Sequence, residues 1–462
     1  MARHFWRGTL ARTPPSAHGQ RLPRVLGLFD VTVLAGASMG PAYSLASTMG
    51  PMIAQAGAQA PLALALLSAI MLCVAIGFAR LSRVRPNAGS SYSWIGQAFG
   101  NRIGAYAAWL LILSNYFATM ATAVPAGIYT LDLFAPGLAN SALADALVGI
   151  VWILASGLML SFGLRPTALV TAVFFAAEIV VLVASAVAAG FFVHLPAISE
   201  VHANVPIVGG LSGLVGAMVL GIWMSDGWEI SASTSEETTG SARTPGAGGI
   251  AGLLITTGIL LAAMLAYLHA GPVSGFVAHQ ADALTYVADR LGGGAWRVVI
   301  VATVLVSTSA ALWTTMVYLS RSAFAMGRDG VIFPALGYLD RRNVPLNAVL
   351  AVTVPVALFT LLTGFFSKAA DALNFVLNGS SVFLGALFFG SAVAAAWTFR
   401  GDSAERWSGV ALPLVGALGL LIILALSIAQ ADTATRWFEL GGLALGVPFA
   451  LWRGSHGAAA EG

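Results

Sequence analysis

The sequence predicts an all-α polytopic membrane protein of about twelve transmembrane helices, built as two five-helix halves plus a trailing pair, with the first and sixth helices broken. Three observations carry this prediction. The 462-residue chain is 58% hydrophobic and only 9% charged; a soluble domain carries roughly 25% charged residues, so most of this surface must face lipid. Apolar runs of about 20 residues, the length that crosses a bilayer, recur along the whole chain. Two of those runs are interrupted at corresponding places in the two halves.

The spans fall at 26–50, 61–82, 103–130, 143–163 and 168–193 in the first half. They fall at 208–232, 249–270, 297–326, 346–365 and 372–398 in the second, with 409–430 and 434–452 behind them. The organisation is therefore a tail over 1–25, a first repeat over 26–193, a second over 208–398, a helix pair over 409–452 and a short tail over 453–462. Five helices per repeat place the second half upside down relative to the first, the inverted-repeat arrangement. The short aromatic and glycine-rich stretch Pro86–Arg102 is expected to run along the inner interface, and Ala281–Leu291 to form a short outer helix.

Basic residues set the orientation. With a cytoplasmic N-terminus, only Arg290, Arg297, Lys368 and Arg436 of the 22 lysines and arginines fall outside. That is a strong positive-inside bias, so both termini are expected in the cytoplasm and the protein in the plasma (inner) membrane. The first 25 residues are Arg-rich, contain Pro14 and Pro15, and lack the apolar core of a cleaved signal. The net charge of +3 follows from this topology and gives no reason to expect a nucleic-acid partner. The single cysteine, Cys73, lies in the second span, where no intramolecular disulfide is possible and a buried packing role is expected.

The breaks are where chemistry concentrates. The run from Val33 to Pro41 contains Gly36, Ala37, Ser38, Met39 and Gly40, and the run from Trp223 to Glu229 contains Ser225, Asp226 and Gly227. In lipid, freed backbone groups are tolerated only where they line a cavity or meet a ligand, and a matched pair of breaks points to the midplane site of a secondary transporter. The outer half of the first helix would begin at its break with exposed N–H groups and a positive dipole end, a carboxylate-binding geometry. Pro41 suits the first position of that half. The outer half of the sixth helix would end at its break with carbonyls and a negative end, and Asp226 adds a full negative charge for an amino group. Together the breaks read as a zwitterion site. The competing reading is that Gly36 and Gly40 serve only close helix packing. The Gly36–Gly40 run also matches the GxSxG nucleophile pattern, which needs a preceding strand and a His–acid pair and here sits inside a membrane span.

Three separated motifs resemble the amino acid–polyamine–organocation superfamily. Residues Pro86–Trp94, followed by Gly100, Gly104 and Trp109, are similar to its P-x-A-G-G-x-Y-x-Y stretch, with Ser90 in place of the second glycine and Trp94 in place of the last tyrosine. Trp223–Glu229 with Glu236, Glu237 and Pro245 resembles the sixth-helix segment. Arg321–Gly330 with Pro334 and Pro345 resembles the R-x-x-x-x-M-[AG]-R-D-G loop after the eighth helix. The resemblance implies a five-plus-five inverted repeat of the leucine-transporter type, alternating access, and an amino acid or amine substrate. It implies a substrate carboxylate on the backbone of Ala37, Ser38, Met39 and Gly40, and an amine near Trp223, Ser225 and Asp226. It further implies that Trp223 can gate the site from outside.

Other polar residues in the spans are candidates for coupling and gating. Intramembrane acids are costly and usually functional. Glu178, midway along the fifth span, can bind and release a proton or serve as a structural tie. Glu229 reads as sixth-helix architecture or a ligand contact. Glu236 and Glu237 are expected at the inner mouth, in exposed pairs with arginines such as Arg83, Arg85 or Arg328, as a gate. Ser307, Thr308 and Ser309 can coordinate sodium or bond to their own backbone, so the coupling ion is a proton or sodium. Asn115 and Tyr116, with Asn374 and Asn378, can line the cavity. No histidine has metal-ligand spacing, and no cofactor or metal site is expected. The expected activity is a permease moving an amino acid or small amine, as a proton-coupled carrier or exchanger, in a monomer or homodimer. The alternative is a transporter-like ligand sensor or assembly subunit without net transport. An enzyme is not expected, because no convergent acid, base or metal groups are present.

Overall fold

The computed structural model describes residues 22–139, 141–192 and 209–457. The expected N-terminal tail up to residue 21, with Arg3, Arg7, Arg12 and Arg21, the link 193–208 and the last residues 458–462 lie outside the described residues.

The described chain is helical throughout. Its first part comprises α1 (Leu28–Met39), α2 (Pro41–Ala56), α3 (Ala60–Val84), α4 (Ser91–Phe99), α5 (Asn101–Phe134), α6 (Ala142–Leu160) and α7 (Leu164–Phe192). The middle comprises α8 (Gly210–Met224), α9 (Ile230–Ser233), α10 (Thr244–Tyr267), α11 (Val273–Ala278) and α12 (Ala283–Arg290). The last part comprises α13 (Ala295–Arg328), α14 (Leu346–Thr363), α15 (Ala369–Phe399), α16 (Leu412–Gln430) and α17 (Thr433–Gly457). Among the described residues, β pairing is confined to one isolated bridge, Leu26 with Thr238. Among the described residues nine helical stretches are long and apolar enough to cross a membrane, the first of them running from Leu28 to Val84 over α1–α3, and α8 is a shorter apolar helix. The protein is a multi-pass membrane protein. The described parts of the expected spans fall on helices, with 26–50 divided between α1 and α2 and 208–232 between α8 and α9.

Local sequence explains the punctuation. Proline opens α2 at Pro41 and sits in the first turns of α3, α10 and α16, where its missing N–H would lack a helical partner anyway. Outward faces are apolar: Val151, Leu158, Val180 and Leu358 are each more than 60% exposed. On a soluble protein such a surface would be an aggregation liability; here it is the face offered to acyl chains.

The interior is organised around α5, α13 and α15, which pack against one another or against α1, α6 and α17. Small residues allow the close crossings that stand in for a hydrophobic driving force in lipid. At the α5–α6 crossing, a Cβ on Gly127 would run into the Asp145 carbonyl oxygen, and one on Gly149 would lie 2.6 Å from that of Ala123.

In the Pro86–Arg102 stretch α4 packs against α5 and α15, with Tyr92 and Trp94 buried and the Trp94 indole donating to the Arg85 carbonyl. Cys73 lies in α3 as expected but is only half-buried, beside Gly416 of α16. The short outer helix expected at Ala281–Leu291 is α12.

Candidate functional site

Helix α1 stays regular through Met39. The chain then turns at a single residue, Gly40, in the left-handed region (φ 51°, ψ 69°), and α2 starts at Pro41. The interruption is therefore narrower than the Val33–Pro41 run, and Ala37, Ser38 and Met39 form the last turn of α1. Helix α8 ends at Met224, and α9 starts at Ile230. Between them Gly227 takes φ 114°, which favours glycine.

The two interruptions touch. A Cβ on Gly227 would lie 2.6 Å from the Ser38 carbonyl carbon and 2.8 Å from both the Met39 nitrogen and the Ser38 oxygen. Backbone of the α8–α9 link therefore rests directly on the last peptide of α1. Gly40 lies against α13, with Ala311 Cβ 3.0 Å and Ser307 Oγ 3.4 Å from where its own Cβ would be.

The first-turn amides of α2 already have partners. Ala42 N–H donates to Glu178 Oε2 (3.3 Å) and Tyr43 N–H to Ser307 Oγ (3.1 Å). Glu178, on α7, is fully buried, and its Oε1 has no hydrogen-bond partner. An anionic group at a helix N-terminus is favoured by the dipole and the free N–H groups. The protein's own carboxylate thus occupies the place that the sequence offered to a substrate carboxylate. Ser307 belongs to this cluster, whereas Ser309 and Thr308 bond to their own helix at Leu305 and Val304.

On the α8 side, Trp223 is buried and meets Tyr43 edge to face, ring centroids 5.2 Å apart, while the Tyr43 hydroxyl donates to the Ala121 carbonyl on α5. Glu229 accepts the Gly227 N–H through Oε2 (2.9 Å), which fixes the link that touches α1. Asp226 is half-buried, and its Oδ1, like Ser225 Oγ, is enclosed without a partner. Buried orphan oxygens at a helix break are positions where a ligand donor or water completes the shell.

Not every expected residue converges. Gly36 lies one turn before the break, where a Cβ would run into the Phe175 ring and the Gly252 backbone of α10 packs close by, so the structure gives it close packing. Asn115 is buried on α5, and its Nδ2 donates to Leu111 of the same helix, with no hydrogen bond to either break. Tyr43 and Tyr318 escaped the sequence reading. Tyr318 is buried on α13, its hydroxyl beside Ser90 and Ser91. Aromatic residues in membrane helices are too common for either to stand out by composition.

Of the two acids, Glu236 meets one of the expected arginines and Glu237 an arginine the sequence reading did not name. Glu236 forms a bidentate pair with Arg328 (2.8 and 2.9 Å) and accepts the Ala88 N–H. Glu237 pairs with Arg321 (3.3 and 3.4 Å), and the two side chains are 2% and 3% exposed. The second pair is buried where an exposed one was expected, because its carboxylate points into the packed bundle at α13. Arg83 is engaged elsewhere, with Arg80, on Glu405. The Glu237 carbonyl also accepts the N–H groups of Val25 and Leu26, and Leu26 receives Thr239 N–H. The segment leading into α1 is thereby stitched to the end of the α9 stretch.

Among the described residues no cluster of His, Cys, Asp and Glu could hold a metal ion. The sequence profile described as Amino acid permease matches residues 26–452. A branched-chain amino acid permease of Lactococcus lactis subsp. cremoris (strain MG1363) is 26% identical over 328 residues, covering 67% of this chain and 68% of the relative. A match over nearly the whole chain, to a family of transporters and not of enzymes, places this protein in the amino acid permease family.

Proposed function

We propose that the protein is a secondary active transporter of an amino acid or related small amine, working by alternating access in the plasma membrane. The proposal includes twelve transmembrane helices, with α1–α2 and α8–α9 as the broken first and sixth. It includes inverted repeats over 26–193 and 208–398, a trailing pair over 409–452, cytoplasmic tails over 1–25 and 453–462, and a monomer or homodimer.

The carrying observation is the contact of Gly227 with the Ser38–Met39 peptide. It brings the C-terminal end of α1, the N-terminal end of α2 and the C-terminal end of α8 to one place in the bundle. That gathers backbone dipoles of both signs around Ser38, Met39, Gly40, Ser225 and Asp226, as a zwitterion's hydration shell would. The buried Trp223–Tyr43 pair beside it is suited to gate the site from outside. The ion pairs Glu236–Arg328 and Glu237–Arg321 are suited to close the inner side.

Glu178 is the proposed proton carrier. Ionised, it is held by the Ala42 amide and the positive end of α2. Protonated, it loses that charge–dipole attraction and loosens α7 from α2, freeing first-turn amides for a substrate carboxylate. Coupling then consists of two anions competing for one helix end. Sodium coupling has weaker support, since Ser309 and Thr308 are turned to their own backbone. The permease from Lactococcus lactis puts branched-chain amino acids first among the substrates to try. The test is radiolabelled uptake in proteoliposomes, with leucine, isoleucine, valine and simple amines, with and without an imposed pH gradient. Gradient-driven accumulation of one of them is expected. Binding without uptake of any would leave the sensor reading in its place.

A further inference from the structure

Ser212 and Glu237 mark opposite ends of the α8–α9 stretch, and the ion pairs occupy the Glu237 end. At the other end lie two adjoining cavities of about 410 and about 420 Å³, within the size range of small-molecule sites, roughly 300–1,000 Å³. They share Asn374 and Asn378 of α15 with Asp432, Thr435 and Glu439 at the start of α17.

The charge here has one sign. Asp371, Asp432 and Glu439 line the cavities, and no lysine or arginine among the described residues does. Arg436, the nearest in sequence, spends its guanidinium on the carbonyls of Ile428, Ala429 and Ala431. Asp432 is committed as well: its carboxylate accepts from the Ala434 and Thr435 N–H groups and the Thr435 hydroxyl. Glu439 is not so committed at Oε2, which has no hydrogen-bond partner although the residue is 1% exposed. A buried carboxylate oxygen in a polar cavity is costly unless a donor or cation meets it.

We propose that this antechamber is a receiving site for an organic ammonium group, with Glu439 Oε2 as its anionic partner and the Asn374 and Asn378 carboxamides as further acceptors. An ammonium carries three N–H donors and no need for the contracted shell of six to eight oxygens that a hard cation gathers. The second cavity has aromatic walls for the apolar body and for cation–π contact: Phe375 lies 4.6 Å from Phe438 and 5.4 Å from Phe366, centroid to centroid. Along α8 the first cavity ends at Val219 and Leu220, one turn before Trp223. A captured amine would therefore stand one helical turn from the Trp223–Tyr43 pair. The inference deepens the proposed function by assigning amine selection to a place ahead of the breaks, and it rests on the substrate bearing an amine.

The test uses the full chain in right-side-out membrane vesicles, with Cys73→Ser and a Ser212→Cys reporter in the cavity wall. A cationic methanethiosulfonate reagent is expected to label the reporter about tenfold faster than an anionic one, as a cleft of one charge sign concentrates counter-ions. Isobutylammonium is expected to slow that labelling, where sodium and choline at equal ionic strength do not. Glu439→Gln should remove both the preference and the protection, and Glu439→Asp should keep the preference. If Glu439→Gln does not fold, Asn378→Asp is read instead and should raise the preference. An unchanged preference in Glu439→Gln, no rise in Asn378→Asp, or equal protection by sodium would each overturn the proposal. Labelling is read without transport, so in the Ser212→Cys parent protection without uptake removes the transporter reading alone, and uptake without protection removes this site alone.

Discussion

Replacing Gly227 with alanine tests the contact on which the functional reading stands. The added methyl would meet three backbone atoms at 2.6–2.8 Å, all of the Ser38–Met39 peptide, so no flexible side chain can move to make room. The residue must also hold φ 114°. A non-glycine residue in such a conformation costs about 1–3 kcal/mol, and overpacking a tight contact costs about 1–3 kcal/mol more. The sum, roughly 2–6 kcal/mol, can be relieved only by lifting the α8–α9 link off α1, which separates the two breaks. Gly258→Ala is the control. Gly258 lies in α10 with nothing within 4 Å of its would-be Cβ, so alanine there should be neutral or stabilising by up to about 1 kcal/mol. Unfolding of the purified protein in mixed micelles, titrated with denaturing detergent, measures the difference, and uptake in proteoliposomes measures its consequence. Gly227→Ala is expected to lose several kcal/mol and nearly all uptake. If it matches the parent and Gly258→Ala in both assays, the breaks do not meet and the argument fails.

Glu178→Gln keeps the shape of the side chain and removes its charge; it is expected to abolish pH-gradient-driven accumulation and spare exchange, and unchanged accumulation in tracer uptake would exclude Glu178 as the proton carrier. Arg321→Met alone strands a buried carboxylate and should cost about 3–5 kcal/mol in the same unfolding titration, whereas Arg321→Met with Glu237→Met should recover most of it; equal losses in the single and double variants would refute the buried-pair account. Asp340 accepts the N–H groups of Val344 and Arg342, and the Val344 bond leads the contacts that hold its carboxyl below the usual carboxylate range. Its contribution to the loop before α14 is therefore complete above the ordinary aspartate value of about 3.9 and fades as pH falls through the lower folded value. Asp340→Asn should accordingly lower, at neutral pH, the protection of this loop's amides relative to their intrinsic exchange, as acidification does in the parent, and equal protection at neutral pH would count against it.

What the residues declared in advance was the part of the structure that depends on local chemistry and on the solvent. Apolar runs of bilayer length must become helices, because no other backbone arrangement satisfies its own polar groups in lipid; that is why the span limits read from composition fall within a few residues of α3, α5, α13, α14 and the rest. Gly40 before Pro41, and Gly227 amid polar residues, announced interruptions by conformational freedom and a missing N–H. Composition alone did not reveal how much of the Val33–Met39 run stays helical, since alanine, serine and glycine are compatible with either state.

Tertiary structure decided everything that depends on which faces meet. Gly36 and Gly40 look alike in the chain, yet one packs under Phe175 and the other turns against Ser307, because helix rotation is set by long-range packing. Glu178 was visible as a buried acid, but its place at the N-terminal end of α2 follows from how α7 lies against α2, 136 residues away in sequence. The pairing of Glu237 with Arg321, which the sequence did not suggest, has the same origin. Glu439 and the cavity it lines were invisible for the related reason that their walls come from helices far apart in the chain. A sequence states where backbone polarity has to be satisfied internally, through hydrophobic length and the residues that break a helix. Only the packed bundle states by which partner, because side-chain encounters depend on helix rotation and crossing, which no local pattern encodes.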